Sequence, residues 1–580
     1  MTAFEVWAPA AERVRLRLGP GVHELSARPD GWWRTEVGDV EPGSDYAYLL
    51  DDDTEALPDP RSRRQPYGVH GPSRVYDQAA FRWTDDGWTG RALPGSVLYE
   101  MHVGTFTPGA TFDAAVERLD HLVALGVDLV EILPVNAVNG THNWGYDGVG
   151  WYAVHEPYGG PDGLKRFVDA CHGRGIGVVL DVVYNHLGPS GNYLPRFGPY
   201  LKQGRNTWGD LVNLDGPDSD PVRRYIIDNA LMWLRDYHVD ALRLDAVHAL
   251  ADTRATHLLE ELSVEVDALA SRLGRPLSLI AESDLNDPRL VTPRAAGGYG
   301  LTAQWDDDVH HSVHALLTGE RQGYYADFGS TEGLAKVLTR AFFHDGTYST
   351  FRRRHHGRPV DRRQVPGYRF VAFLQDHDQV GNRATGDRIS ATLSPGLCKV
   401  GAMLILTSPF TPMLFMGEEW AAGTPWQFFT SHPESELGAA VAAGRRAEFA
   451  AHGWPPGDVP DPQDPSTYER SILDWSELDK PAHAEILRFY RKLIALRRSR
   501  PELADPRLDR VRVDGGQDWL TVHRGRYRVV VNLAPVRRTL AVGGVPLDVP
   551  LATEPGFVFA RREITLPAES AAVVACVPAG

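Results

Sequence analysis

The chain has 580 residues, too many for one hydrophobic core, so two or three domains are expected. Its 43% hydrophobic and 23% charged residues are those of an ordinary globular protein, and the formal net charge is −16. That balance, with no basic stripe, excludes a nucleic-acid binder and favours a neutral or weakly polar substrate. Arg352–Arg354 is the nearest approach to a basic cluster and reads as a solvated loop. Cys171, Cys398 and Cys576 are too dispersed for a disulfide framework or a CxxC metal pair, which suits a reducing compartment. The opening MTAFEVWAPAAERVRLRL carries charges where a leader peptide needs an apolar run, so a cytoplasmic location is expected.

Residues 1 to about 90 alternate apolar and polar side chains in short runs, such as Val14-Arg15-Leu16-Arg17-Leu18 and Tyr46-Ala47-Tyr48-Leu49-Leu50, divided by Gly19-Pro20-Gly21 and Pro42-Gly43. This predicts an N-terminal β-sandwich over 1–90. A polar stretch near Asp85–Pro94 reads as a linker. From Ser96 the rhythm becomes apolar strand, loop and amphipathic helix, repeated. Strands are expected at Val97–Val103, Asp128–Val135, Gly177–Tyr184, Ala241–Ala246, Leu277–Glu282, Gly300–Trp305, Phe370–Gln375 and Pro412–Met416. Helical patterns lie between them at Phe112–Leu125, Gly163–Gly173, Pro221–Tyr237 and Ala255–Arg272. Near-continuous apolar strands imply a parallel sheet covered on both faces, and eight such units imply an α/β fold, a (β/α)8 TIM barrel over 91–500. The fifth and sixth units have the weakest patterns. Val400–Gly417 is apolar enough to consider as a membrane span, but Ser408, Pro409, Thr411 and Pro412 make it a buried helix, a turn and a strand. Gly453–Pro465 reads as an ordered excursion, and His483–Arg500 as a closing helix. Alternation returns in Trp519–Arg524, Tyr527–Leu533 and Ala571–Val577, predicting a C-terminal β-sandwich over 501–580.

Side chains at the C-terminal strand ends of such a barrel converge on one rim. Asp245 ends the fourth strand in DALRLD, Glu282 ends the fifth in LIAE, and Asp378 follows the seventh in FLQDHD. Period-two alternation puts Arg243 on the face of Asp245, where contact would favour the ionised carboxylate that a nucleophile requires. The apolar approach to Glu282 suits a carboxyl that must stay protonated. Acids ending adjacent strands about 4.8 Å apart fall in the range of retaining glycoside hydrolysis. Any one of these acids alone would read as a surface loop residue. Three at strand ends of one barrel do not.

Tyr146 and Asp147 in NWGYD, His186 in DVVYNH, and the segments LRLDAVH, IAES and FLQDHD together resemble the ordered signature regions of the α-amylase superfamily of glycoside hydrolases. The resemblance implies Asp245 as nucleophile, Glu282 as general acid/base and Asp378 as the third carboxylate. It also implies sugar contacts from Tyr146, Asp147, His186 and His377, with Arg243 orienting Asp245. Five further segments, 188–200, 208–220, 318–329, 376–388 and 417–432, resemble the trehalose-releasing members, implying a maltooligosyltrehalose substrate, a trehalose product and a pathway relation to a maltooligosyltrehalose synthase. Branching enzymes share the N-terminal module and a strand like YEMHVGTF, so an α-glucan transferase is the alternative. A non-catalytic glucan-binding protein would have lost the acids present here.

Two departures bear on the site. Asp376 stands where many superfamily members carry Asn, and like charge there could raise the pKa of Asp378. His248 occupies a position often held by Lys, so leaving-group contacts should not be copied from amylases. Trp144, Trp151, Trp208, Trp305, Trp420 and Trp426 could form sugar platforms, although an aromatic ring is more often core; Trp208, Trp420 and Trp426 are favoured because they fall on rim loops. Glu418 reads as a structural hydrogen-bond acceptor. His310, His311 and His314 form HHxxH without the Glu of a zincin, and the loop bearing Asn185 is short for a calcium domain. No metal or cofactor is expected.

Overall fold

A computed structural model describes residues 1–451 and 456–577. Part of the expected excursion at 453–465, and the last three residues of the C-terminal β-domain, lie outside the described residues.

Eight parallel strands close into a barrel: Leu98–Met101, Leu129–Ile132, Gly177–Val182, Ala241–Leu244, Ser278–Ala281, Ala303–Trp305, Phe370–Phe373 and Thr411–Phe415. Every residue of these strands is buried, as strands covered on both faces must be. The sixth is the shortest, only Ala303–Trp305, which accounts for its weak pattern. The fifth unit carries two short 3-10 turns, Pro288–Leu290 and Arg294–Ala296, in place of a long helix. The apolar run near Val400 forms the helix Pro395–Leu406 and then the eighth strand. Among the described residues no helix is long and apolar enough to cross a membrane.

Strand alternation divides the barrel interior into layers. Leu98, Leu129, Val179, Ala241, Ile280, Val371, Phe373 and Met413 form an apolar plug. Two residues further along, the same faces carry Glu100, Glu131, Asp181, Arg243 and Glu282. The plug excludes water from below, and the charged layer lies directly above it.

Before the barrel, Thr2–Trp7, Trp32–Val37 and Ser26–Ala27 form one antiparallel sheet. Gly21–Glu24, Val14–Leu18, Asp45–Leu50 and Ser73–Arg74 form another. Arg61 ties this region to the barrel through Tyr152 Oη and Asp228 (both 3.0 Å), and Arg63 does so through Asp236 (2.9 Å). The stretch expected to be a linker is packed instead: Asp85 bonds His172 and His238 (2.8 Å each), and the Trp88 indole stacks on His172. After the closing helix Pro481–Ser499, a five-stranded and a three-stranded antiparallel sheet complete the described chain.

Candidate active site

Register brings the strand-end acids together. Leu244 pairs with Ala281, so Asp245 and Glu282, one residue on, lie side by side on neighbouring strands. Arg243, wholly buried, donates from Nη1 to Asp245 Oδ1 and Asp181 Oδ2 (2.8 Å each), and its Nη2 lies 3.7 Å from Glu282 Oε2. One guanidinium therefore reaches both carboxyls. Its flat face lies 4.4 Å above the Trp305 ring, which holds it rigid. Asn185 clamps the other oxygen of Asp245 (Nδ2 to Oδ2, 2.7 Å), leaving the nucleophile candidate held on both sides.

Beyond Asp245 the chain turns sharply. Ala246 takes the left-handed conformation at φ 41°, which costs a residue with a side chain about 1–2 kcal/mol. The turn aims the Ala246 N–H at Glu282 Oε2 (2.6 Å). The Glu282 side chain is mostly buried, with 16% exposed. Burial pushes its carboxyl up, Arg243 pulls it back, and the charges of Asp245 and Asp378 add to the rise, leaving it at about 8. A carboxyl in that state at neutral pH is a proton donor.

Asp378 projects from a short helix, His377–Gly381, and its side chain is 46% exposed. Asn382 donates to its Oδ1 (3.0 Å), and Arg445 from the helix Ser435–Ala451 braces that turn through Gly381 O and Asn382 Oδ1 (2.6 and 2.9 Å). Asp376 caps the same helix by accepting from the Gln379 N–H (2.6 Å). Burial, first, and then Glu100 and Asp378 raise the Asp376 carboxyl itself well above its ordinary range, so the extra acid serves as a cap.

Tyr146 Oη lies 2.7 Å from Asp181 Oδ2 and 2.8 Å from His377 Nε2, and its ring is nearly parallel to the imidazole. Gly145 makes this placement possible: it sits at φ 110°, and a Cβ there would fall 2.2 Å from the Pro134 carbonyl oxygen. His186 donates from Nε2 to the Tyr146 carbonyl (2.9 Å) and pairs through Nδ1 with Asn185. Asp147 accepts from Asn143 Nδ2 (2.6 Å) and lies 3.6 Å from His432. His248 is exposed and meets the Trp208 ring edge-on at 6.0 Å.

The favoured platforms divide. Trp208 is 49% exposed and lies over His186, a position from which an indole face can meet a sugar. Trp420 and Trp426 are 0% exposed, which corrects their assignment as platforms. Trp420 packs against His121 and Trp475 and donates to Glu477, and Trp426 stacks on Trp144. Their loop folds inward under later parts of the chain. Glu418 is buried and accepts from Tyr490 Oη (3.0 Å). His310 is tied to Leu374 O and Tyr325 Oη, and His314 to Glu320.

Several residues of the site escaped sequence reasoning. Asp181, Glu100 and Asn185 hold the machinery from the strand ends; Asp181 is in register with Arg243, a pairing between strands that the sequence does not display. Arg352, expected in a solvated loop, instead donates to Asp284 (2.7 Å), two residues beyond Glu282. No sequence pattern marked that pairing.

A closed parallel barrel with in-register carboxyls around one arginine defines an amylase-type glycoside hydrolase. The model for the alpha amylase catalytic domain matches residues 109–208, and that for a domain of unknown function (DUF3459) matches 506–573. A malto-oligosyltrehalose trehalohydrolase of Arthrobacter ramosus is 63% identical over 92% of this chain and 93% of its own. A solved Salmonella typhimurium structure named as an alpha amylase is 38% identical, with a TM-score of 0.90 over 99% of this chain and 97% of that one. A branching enzyme of Xanthomonas campestris is 30% identical over 54% of this chain and 49% of its own. The chain belongs to the malto-oligosyltrehalose trehalohydrolase family.

Proposed function

We propose that the protein hydrolyses the α-1,4 bond next to the terminal 1,1-linked trehalose unit of maltooligosyltrehalose, releasing trehalose and a maltooligosaccharide. The observation that carries the mechanism is the in-register pair Asp245 and Glu282 reached by the single guanidinium of Arg243. Carboxyls that end adjacent strands, about 4.8 Å apart, suit a retaining enzyme better than an inverting one, which needs room for a water, so the reaction is assigned as a double displacement with retention. Glu282, protonated, gives its proton to the leaving trehalose oxygen while Asp245 attacks the anomeric carbon. The glycosyl–Asp245 ester is then cleaved by water, whose proton returns to Glu282. Tyr146 stacks on the sugar being cleaved, and Asp378 holds its hydroxyls on the open side. Trp208 and His248 are assigned to substrate contact at the exposed rim.

The family supports hydrolysis over transfer: the relatedness to a branching enzyme is limited to about half of the chain, whereas that to a trehalohydrolase covers nearly all of it. An enzyme that forms a 1,1 linkage at the reducing end of a maltooligosaccharide must supply the substrate. Incubation with maltooligosyltrehalose tests the proposal. Free trehalose without lengthened glucans is expected; branched or elongated products without trehalose would establish the transferase instead.

A further inference from the structure

The charged layer above the apolar plug contains an interaction that the proposed mechanism does not use. Glu100, from the first strand, is 1% exposed and spends both oxygens on one residue: Oε2 accepts the His377 backbone N–H (2.9 Å) and Oε1 accepts from Nδ1. At the other ring nitrogen, Nε2 lies 2.8 Å from Tyr146 Oη, and that hydroxyl is 2.7 Å from Asp181 Oδ2. Both close contacts of Tyr146 Oη require a hydrogen, and the phenol carries one. If it goes to Asp181, Nε2 must carry its own proton, and with Nδ1 donating to the Glu100 carboxylate the ring is an imidazolium. If it goes to Nε2, Asp181 must be protonated instead. Burial raises the Asp181 carboxyl, but Arg243, donating to that same oxygen, pulls it back and leaves it at about 6, so at neutral pH it is mostly the carboxylate.

We propose that Glu100 is a positioning residue that keeps His377 doubly protonated, and through it fixes the Tyr146 ring and presents a permanent positive charge to Asp378. The groups facing the imidazole divide as this requires. Glu100 from the first strand, Asp181 by way of Tyr146, and Asp378, 3.6 Å away on the same turn, favour its charge. Arg243 from the fourth strand and His102 beyond the first oppose it. Asp376 and Glu131 also border it, and burial pushes both carboxyls strongly toward the neutral form. Burial works against charge on the ring itself, but Glu100 and then Asp378 outweigh it and bring His377 to about 10. Glu131 is in register with Glu100, is 1% exposed, and has no hydrogen-bond partner on either oxygen.

The kinetic arm of the test rests on the proposed function; the spectroscopic arm does not. The full chain is labelled with 15N-histidine and titrated without substrate, the His377 signals being identified by their loss in His377→Gln. Both nitrogens are expected to remain protonated beyond pH 9. In Glu100→Gln the ring should become neutral at pH 7, and kcat should fall about tenfold to a hundredfold, the range of a hydrogen bond to a charged group. The lost rate should return as the pH is lowered and the ring regains its proton, a recovery that mere loosening of the fold would not give. A neutral His377 in the unmutated protein at pH 7 would overturn the proposal even if the variant failed to fold. So would a Glu100→Gln protein with unchanged histidine protonation and an unchanged pH profile.

Discussion

If Glu282 is the acid, raising the pH should silence the enzyme by removing one proton. Its carboxyl is held at about 8 against an ordinary 4.5. At pH 7 about nine-tenths of the molecules then carry the proton, where an ordinary glutamate would leave roughly one in three hundred. A group that must be protonated to act loses activity above its pKa, so kcat/KM for trehalose release should be half-maximal near pH 8 and fall about tenfold per unit beyond. The same displacement has a stability consequence. An acid whose folded value is raised binds its proton more tightly when folded, so its contribution is complete below 4.5 and is lost as the pH climbs through 8. At about 1.4 kcal/mol per pH unit, the deficit reaches a few kcal/mol at alkaline pH. Glu282→Gln cannot ionise; it should melt at the same temperature as the parent near pH 4.5 and higher at pH 8. Initial rates across pH 5 to 10 and calorimetry of both proteins check the two limbs. A basic limb centred below pH 6, with no melting difference at pH 8, would refute the assignment.

Asp245→Asn removes the nucleophile and should cost roughly ten-thousandfold or more in kcat, read by trehalose release. In the parent enzyme, proton NMR during the first turnovers should find the new reducing end as the α-anomer; the β-anomer would mean inversion. Trp208→Ala should raise KM about threefold to tenfold and leave kcat nearly unchanged, because an exposed ring contributes stacking alone. Trp420→Ala should do the reverse, losing about 3–5 kcal/mol of stability in a melting experiment while the surviving folded protein keeps its KM. Glu131→Gln replaces a neutral carboxyl by a neutral amide of the same shape, so kcat/KM should stay within about twofold of the parent; a large loss would mean that Glu131 is ionised in the native barrel.

What the sequence made legible follows from periodicity. The barrel was readable because apolar strands recurred at regular spacing, and Arg243 fell on the face of Asp245 because strands repeat every two residues. Register between strands is a tertiary property. Glu100 and Asp181 therefore looked like isolated acids until their strands were laid beside the second and fourth. Trp420 and Trp426 were misplaced for a related reason: a loop after the eighth strand reads as rim, but Glu477, Trp475 and the closing helix cover it from far along the chain. Arg352 was misread because a short arginine run looks solvated unless its partner, Asp284, is known.

The layering of the interior explains how one fold can hold both charge and stability. An unpaired buried charge costs several kcal/mol, and this barrel places Glu100, Asp181, Arg243 and His377 together above its apolar plug. Arg243 pairs with Asp181 and His377 with Glu100, while Glu131, which has no hydrogen-bond partner, is held neutral. The same alternation that supplies Leu98 and Val179 to the plug supplies Glu100 and Asp181 to the layer above, so a strand cannot slip by one residue without exchanging both sets. Catalytic geometry and correct register are thereby the same constraint. A substitution that loosens the plug should for that reason degrade the alignment of Asp245 with Glu282 before it unfolds the barrel.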